Sequence, residues 1–263
     1  MFKSKKLGLT TMFLSLYLVK YAKLKIGIIN IDWFRKSKKS KEQILKEILA
    51  QEFDFLIVNE NILNFKLAEN YFEYHSKTIP TDTEFQHLNY RLYLKGKTPI
   101  RSSIYSKYKA TQSIQTKDPY TSVCHKFKVA DNEIVIYATI IGTWGIKYQD
   151  EIARVELDDF KKDCESILTD NKNVFTIGDF NTSFIESEKR QLRVIKSRKE
   201  ILDFTNNLDV FRATEHVENC IDHIFISNNI KLNSTSSTGA FLESNILKDD
   251  PHKGIILNVN FRK

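Results

Sequence analysis

Two apolar runs near the start of the chain constrain its fold more than any other feature. KLKIGIINI (23–31) and FDFLIVNE (53–60) are continuous and rich in β-branched residues. Strands buried on both faces read this way, whereas a half-exposed strand alternates. Between them, SKEQILKEILAQEF (40–53) puts Ile44, Leu45, Ile48 and Leu49 on one helical face. Ser40, with Gln43 three residues on, forms a capping-box pattern that predicts the helix start. The opening is therefore β-α-β. Both strands end in a polar group, Asn30 in the first and Glu60 in the second.

The middle of the chain is strand-rich. RLYL, IRSSIYSKY, YTSVCHKFKV and EIVIYATIIG alternate or run apolar, and Asp131-Asn132 supplies a hairpin turn between the last two. Residues 149–171 form an amphipathic helix with Ile152, Val155, Phe160, Cys164 and Ile167 along one stripe. NVFTIGDFN (173–181) is a strand ending in a sharp polar turn. Residues 187–208 read as a helix carrying Lys189, Arg190, Arg193, Lys196, Arg198 and Lys199. Such a run is usually a solvated helix face, and the alternative is contact with a nucleic-acid backbone. CIDHIFIS (220–227) and GIILNVNF (254–261) are the last strands. Strands and helices in this order layer around one core, an α/β or α+β arrangement.

With 263 residues, eight glycines and four prolines, the chain has no stretch that reads as a linker between domains. Hydrophobic residues at 41% and charged residues at 28% exclude disordered, fibrous and polytopic membrane classes. Forty basic against 33 acidic residues leave +7, which suits a phosphate-bearing substrate without specifying one. Cys124, Cys164 and Cys220 are too few and scattered for a disulfide framework or a zinc site, and read as reduced and buried.

Residues 1–22 stand apart from 23–263. LGLTTMFLSLYLV (7–19) follows three lysines and would make roughly 20 Å of helix, short of a ~30 Å hydrocarbon core. It resembles a signal peptide, but KYAKLK follows where a small-residue cleavage site would stand. The readings are an uncleaved anchor, a signal with a poor cleavage site, a translation start placed upstream of a cytosolic domain, or a core-packed helix. The third is favoured, and with it a cytoplasmic location. Secretion, or membrane contact through 7–19, is the alternative.

Polar groups recur where buried strands end: Asn30, Glu60, Asp179 with Asn181, Asp222 inside IDHIF, and Asp250 with His252 before the last strand. Carboxylates and amide oxygens are hard ligands suited to Mg²⁺ or Mn²⁺. A histidine near an aspartate suits proton transfer. His223, one residue from Asp222, points to the opposite face and reads as surface or lightly packed. Trp33 and Trp144 follow strand ends, where they would flank a substrate, pack in the core or anchor loops.

The ordered set IINI (28–31), IVNE (57–60), IGDFN (177–181), IDHIFIS (221–227) and PHKGI (251–255) resembles the endonuclease/exonuclease/phosphatase superfamily over residues 24–261. The resemblance implies a four-layer α/β sandwich, two packed and mainly antiparallel sheets flanked by helices. It implies a metal-dependent phosphoester hydrolase, with Mg²⁺ as the ion and Mn²⁺ as the alternative. Glu60 would be the principal ligand, with Asn30 beside it and Asp250 from the far side. Asp179 would orient or deprotonate the attacking water. Asn181 would hold a phosphate oxygen, and His252, oriented by Asp222, would contact the phosphate and share in proton transfer. Arg101 and Thr143 are candidate substrate contacts, with Tyr105 an alternative to Arg101. Two positions depart from the family pattern. Pro251 stands where members carry an aspartate before the late histidine, and Ile140 stands where many carry a histidine. The expected activity is cleavage of DNA phosphodiesters by a monomer with no protein partner. The alternatives are a phosphatase or sphingomyelinase-like hydrolase, or a binding scaffold weakened by Pro251.

Overall fold

The structure is a computed structural model that describes residues 21–33, 36–62, 65–78, 99–142, 151–185, 195–230, 236–242 and 252–262. The two apolar runs form neighbouring parallel strands, β1 (Tyr21–Asn30) and β2 (Phe55–Ile62), joined by helix α1 (Lys38–Gln51). Their inward positions, Leu24, Ile26, Ile28, Phe55 and Ile57, enter the central core. Their outward positions, Ile29, Leu56 and Val58, pack under Ile44 and Ile48 of α1. Both faces are covered, so the runs are apolar throughout. Leu49 is exposed, and the apolar stripe of α1 is narrower than its sequence suggests. The N-cap lies three residues before the expected one. Ser37 is the N-cap and accepts the Ser40 amide, so Ser40 supplies the donor and Ser37 the oxygen.

The first sheet is completed by β3 (Phe72–His75), β4 (Pro99–Ser106), β11 (Ser237–Ala240) and β12 (Ile255–Arg262), in the order β11-β12-β1-β2-β4-β3. The second holds β5 (Ala110–Ile114), β6 (Val123–Val129), β7 (Asn132–Ile140), β8 (Val174–Asp179), β9 (Val210–Arg212) and β10 (Asp222–Ser227), in the order β5-β6-β7-β8-β10-β9. Apart from the parallel pairs β1–β2 and β7–β8, neighbours are antiparallel. The β6–β7 hairpin closes through Ala130 and Asp131. Asn132 already pairs with Val129, one residue away from the expected turn.

The sheets pack face to face, and helices α2 (Glu151–Asp170) and α3 (Ile195–Asn207) lie on the outside of the second. Phe160, Cys164 and Ile167 of α2 and Ile201 of α3 cover Val135, Tyr137 and Phe225. Val155 is exposed, so it lies off the apolar stripe. The result is the expected four-layer sandwich of two sheets and flanking helices. All three cysteines are free and buried. No helix among the described residues is long and apolar enough to cross a membrane. The segment 1–20, RLYL (91–94), and Lys189, Arg190 and Arg193 lie outside the described residues.

Gly178 and Gly27 show why glycine interrupts two such strands. A Cβ on Gly178 would lie 2.2 Å from the Thr139 carbonyl oxygen, so β8 approaches β7 at a distance no other residue allows. A Cβ on Gly27 would lie 2.5 Å from the Phe53 ring.

Candidate active site

The inward-facing row of each sheet is apolar for most of its length and turns polar at one end. In β1 the row is Leu24, Ile26, Ile28, then Asn30. In β8 it is Phe175, Ile177, then Asp179, and β10 begins with Asp222 ahead of Ile224 and Ile226. Period-two geometry thus delivers three polar side chains to one end of the inter-sheet core.

Asn30 links the sheets there. Its Nδ2 donates to Glu60 Oε2 at 3.1 Å and to Asp179 Oδ2 at 2.9 Å, across 149 residues of chain. Its Oδ1 accepts the Asp32 amide at 2.8 Å, which fixes which way the side-chain amide faces. Glu60 adopts a left-handed backbone (φ 54°) at the end of β2, and Asn181 does the same (φ 50°) just past β8. Non-glycine residues hold that conformation at a cost, and such residues gather at functional sites. The Glu60 Oε1 lies 3.9 Å from Nη2 of Arg101, which is buried.

The β8–β10 register sets Asp179 directly opposite Asp222. Two carboxylates in that relation repel. Asp179 is offset by Asn30 and by the Asn181 amide, which donates to its Oδ1 at 2.7 Å. Asp222, fully buried, is faced by His252, whose Nδ1 lies 3.2 Å from both its oxygens. The imidazole therefore donates to the carboxylate through Nδ1. Burial raises the Asp179 carboxyl to about 7. The charge of His252 opposes that rise, and the charge of Asp222 adds to it.

The structure thus brings together Asn30, Glu60, Arg101, Asp179, Asn181, Asp222 and His252. Thr143 and Asp250, with Trp144 and Pro251, lie outside the described residues. Asn181 Nδ2 donates to the Ile141 carbonyl at 3.0 Å, which orients its amide and leaves its second N–H for another acceptor. Tyr105 donates its hydroxyl to the Phe65 carbonyl under α1 and belongs to that core. Trp33 is an anchor. Its ring meets Phe65 edge-on and carries Lys41 Nζ 4.6 Å from its centroid.

Asn59 is a further member that the sequence reading passed over. Its buried amide donates to Arg101 O, Ser102 Oγ and Thr139 O, and so ties β2 to β4 and to the second sheet beneath the site. The signal was an amide inside an apolar run, because a buried side-chain amide requires partners. His223 corrects an expectation. It is buried at 2% exposure, because Phe180 and Phe184 close over the outer face of the sheet.

Oxygen and imidazole ligand atoms of Asp179, Asp222 and His252 lie within 4.8 Å of one another, and Glu60 joins them through Asn30. This hard, oxygen-rich set fits a divalent cation of the Mg²⁺ or Mn²⁺ kind. The thiol nearest to it, Cys220, is engaged with the Asp222 carbonyl oxygen.

Solved structures share this architecture. A 3′ phosphatase, NExo, from Neisseria, bound to a product DNA hairpin, superposes with a TM-score of 0.64 at 13% identity, covering 91% of this chain and 100% of its own. The endonuclease domain of TRAS1, a telomere-specific non-LTR retrotransposon, matches with a TM-score of 0.61 at 12% identity, covering 92% and 100%. Sphingomyelinase C from Streptomyces griseocarneus matches with a TM-score of 0.58 at 12% identity, covering 91% and 100%. At these identities the likeness establishes the fold. No curated protein sequence matches the chain. The model of the Endonuclease/Exonuclease/phosphatase family matches residues 28–244, a span holding every site residue above except Asp250 and His252. The sandwich, the polar end of its core and this match agree: the chain belongs to the Endonuclease/Exonuclease/phosphatase family.

Proposed function

We propose that the chain cleaves DNA phosphodiesters by in-line attack of water, with Mg²⁺ as its metal. Enzymes of this family hydrolyse phosphoester bonds and generally depend on a divalent metal ion. The observation that carries the reading is the meeting of Asp179 with the Asp222–His252 pair within 4.8 Å at the polar end of the core. Two of the similar structures are described as a phosphatase bound to a DNA hairpin and an endonuclease domain, and the +7 charge favours a polyanion.

Glu60 would hold the metal, with Asp250 as the candidate second ligand, and Asn30, whose amide nitrogen donates to the Glu60 and Asp179 carboxylates, would orient both. When bound, it stabilises negative charge on the phosphoryl oxygens and the leaving group. Asp179 orients the attacking water and takes up its proton, for which burial raises its proton affinity. His252, fixed by Asp222, directs Nε2 at the phosphoryl group, where it donates a hydrogen bond to a non-bridging oxygen. The free N–H of Asn181 does the same from the other side. Arg101 stays beneath Glu60 and orients its carboxylate.

Supercoiled plasmid incubated with Mg²⁺ tests this. The wild type is expected to nick it, EDTA to stop the reaction, and His252→Ala to slow it by about 10²–10⁴-fold. No cleavage by the wild type, together with turnover of a phosphomonoester or of sphingomyelin, would replace the nuclease reading.

A further inference from the structure

The loop that follows Asn181 leads from the catalytic end over the rim of the second sheet. Phe184, in that loop, packs on His223 and Phe225 of the outer face. Two arginines from different elements close on it. Arg198 of α3 donates from Nη2 to the Phe184 carbonyl at 2.9 Å, and Arg212, the last residue of β9, sets its guanidinium 4.9 Å from the Phe184 ring centroid.

Among the described residues no carboxylate balances their charges locally. Neither arginine has a carboxylate within ion-pairing distance among the described residues, and the Nε of each is buried without a hydrogen-bond partner. Of the acids nearby, Glu200 on α3 is paired with Lys161 of α2, and Glu215 is exposed and acts on Arg212 only from a distance. Burial lowers the Arg212 pKa. Glu215 opposes that shift, and Arg198 adds to it. The two cations are therefore neighbours that repel. Two half-buried guanidiniums brought together with no carboxylate beside them among the described residues are costly, and such forks match a phosphate.

We propose that Arg198 and Arg212 form a second phosphate-binding site, taking a backbone phosphate of a nucleic-acid strand whose scissile phosphate lies at Asp179 and His252. This rests on the nuclease reading for the strand but not for the site. Arg212 pairs with Phe225, three residues along β10 from Asp222, so the site sits roughly 10 Å from the reaction centre along the sheet. Phe180–Ile185 spans the gap, with Asn181 at one end and Phe184 near the other. The bound phosphate would fix the strand's register without touching the reacting atoms.

The test is binding of a fluorescein-labelled single-stranded 12-mer, followed by anisotropy in EDTA across a salt series. The proteins compared are the wild type, Arg212→Met and Arg212→Lys. Arg212→Met is expected to bind about 10-fold more weakly and to flatten the log–log salt slope by about 0.7, one phosphate contact on a single strand. Arg212→Lys keeps the slope and loses part of the affinity. Melting temperature separates a ligand site from a structural one. Removing one of two repelling buried charges leaves Tm equal or higher, whereas loss of a structural stacking contact lowers it. No binding by the wild type, equal binding by all three proteins, or a weaker Arg212→Met that also melts lower overturns the assignment. Each of these outcomes stands whether or not the plasmid is cleaved, so failure here is distinct from failure of the nuclease reading.

Discussion

Strands β8 and β10 carry two adjacent cross-strand pairs with opposite fates. Asp179 faces Asp222 on the inner side of the sheet, and one residue along, Gly178 faces His223 on the outer side. The inner pair sets two carboxylates together and leaves a histidine from the segment before β12 to offset them. The outer pair sets an imidazole against a glycine and satisfies it with neutral groups. His223 Nε2 donates to the Thr182 carbonyl at 2.9 Å, and Nδ1 accepts the Thr214 hydroxyl at 3.0 Å. Burial then holds the His223 pKa down at about 3, and the ring stays uncharged. A half-buried and a buried imidazole thus differ by their partners. His252 faces a carboxylate that orients it, whereas carbonyl and hydroxyl partners make His223 a packing group.

Removing the inner charge is the largest break that can be made. Asp222→Asn keeps the shape of the pair but takes away the negative charge that orients and supports His252. Cleavage of plasmid or phosphoester is expected to fall by about 10²–10⁴-fold. The urea midpoint is expected to change little, because the variant no longer sets two carboxylates opposite each other. A variant with wild-type rate would show that His252 acts without its partner.

The outer pair breaks in the other sense. Gly178→Ala puts a methyl group against the Thr139 backbone carbonyl, 2.2 Å away, where no side chain can rotate aside. Strand β8 must shift, at about 1–3 kcal/mol, read as a lowered urea midpoint. Because Asp179 is the next residue, activity falls as well. An alanine variant of full stability would mean that the β7–β8 spacing is slack.

The strands were legible because burial on both faces leaves a long β-branched run, and β1, β2, β8 and β10 emerged within a few residues of their expected limits. Asn30, Glu60, Asp179 and Asp222 were legible as polar ends of apolar runs. Asn30 as a bridge was not, because its two acceptors come from strands on different sheets, fixed only by the packing of those sheets. His223 was misread for a related reason. Alternation says that it opposes Asp222, but whether the opposite face meets water depends on the loop and helices laid over it. The cap of α1 moved from Ser40 to Ser37 because both serines precede the apolar stripe, and only backbone geometry chooses between them.

The subtlest test of the two-face contrast lies in the pH dependence of stability. On the outer side, Asp163 of α2 accepts the Lys117 amide at 2.9 Å and the Tyr137 hydroxyl at 3.1 Å, and burial raises its pKa to about 6 from 3.8. Between those values the folded form holds a proton that the unfolded chain has released. The stability this contributes is complete below about 3.8 and is lost as pH rises through about 6. Asp179, raised to about 7, acts in the same sense. His223 acts in the opposite one. With its pKa lowered from 6.5 to about 3, the unfolded chain binds the extra proton, so its contribution is present above 6.5 and is lost as pH falls toward 3. Near pH 5 the slopes from Asp163 and His223 oppose each other, and single variants should unmask each. Asp163→Asn keeps an acceptor for the Lys117 amide and a partner for Tyr137, and relative to wild type its stability should rise with pH between 4 and 6. His223→Gln should do the reverse over the same range. Urea midpoints measured from pH 4 to 7 decide it, with a limit of about 1.4 kcal/mol per pH unit for one proton. Parallel curves for wild type and both variants would mean that neither group changes its proton affinity on folding, and the contrast between the two faces would then rest on geometry alone.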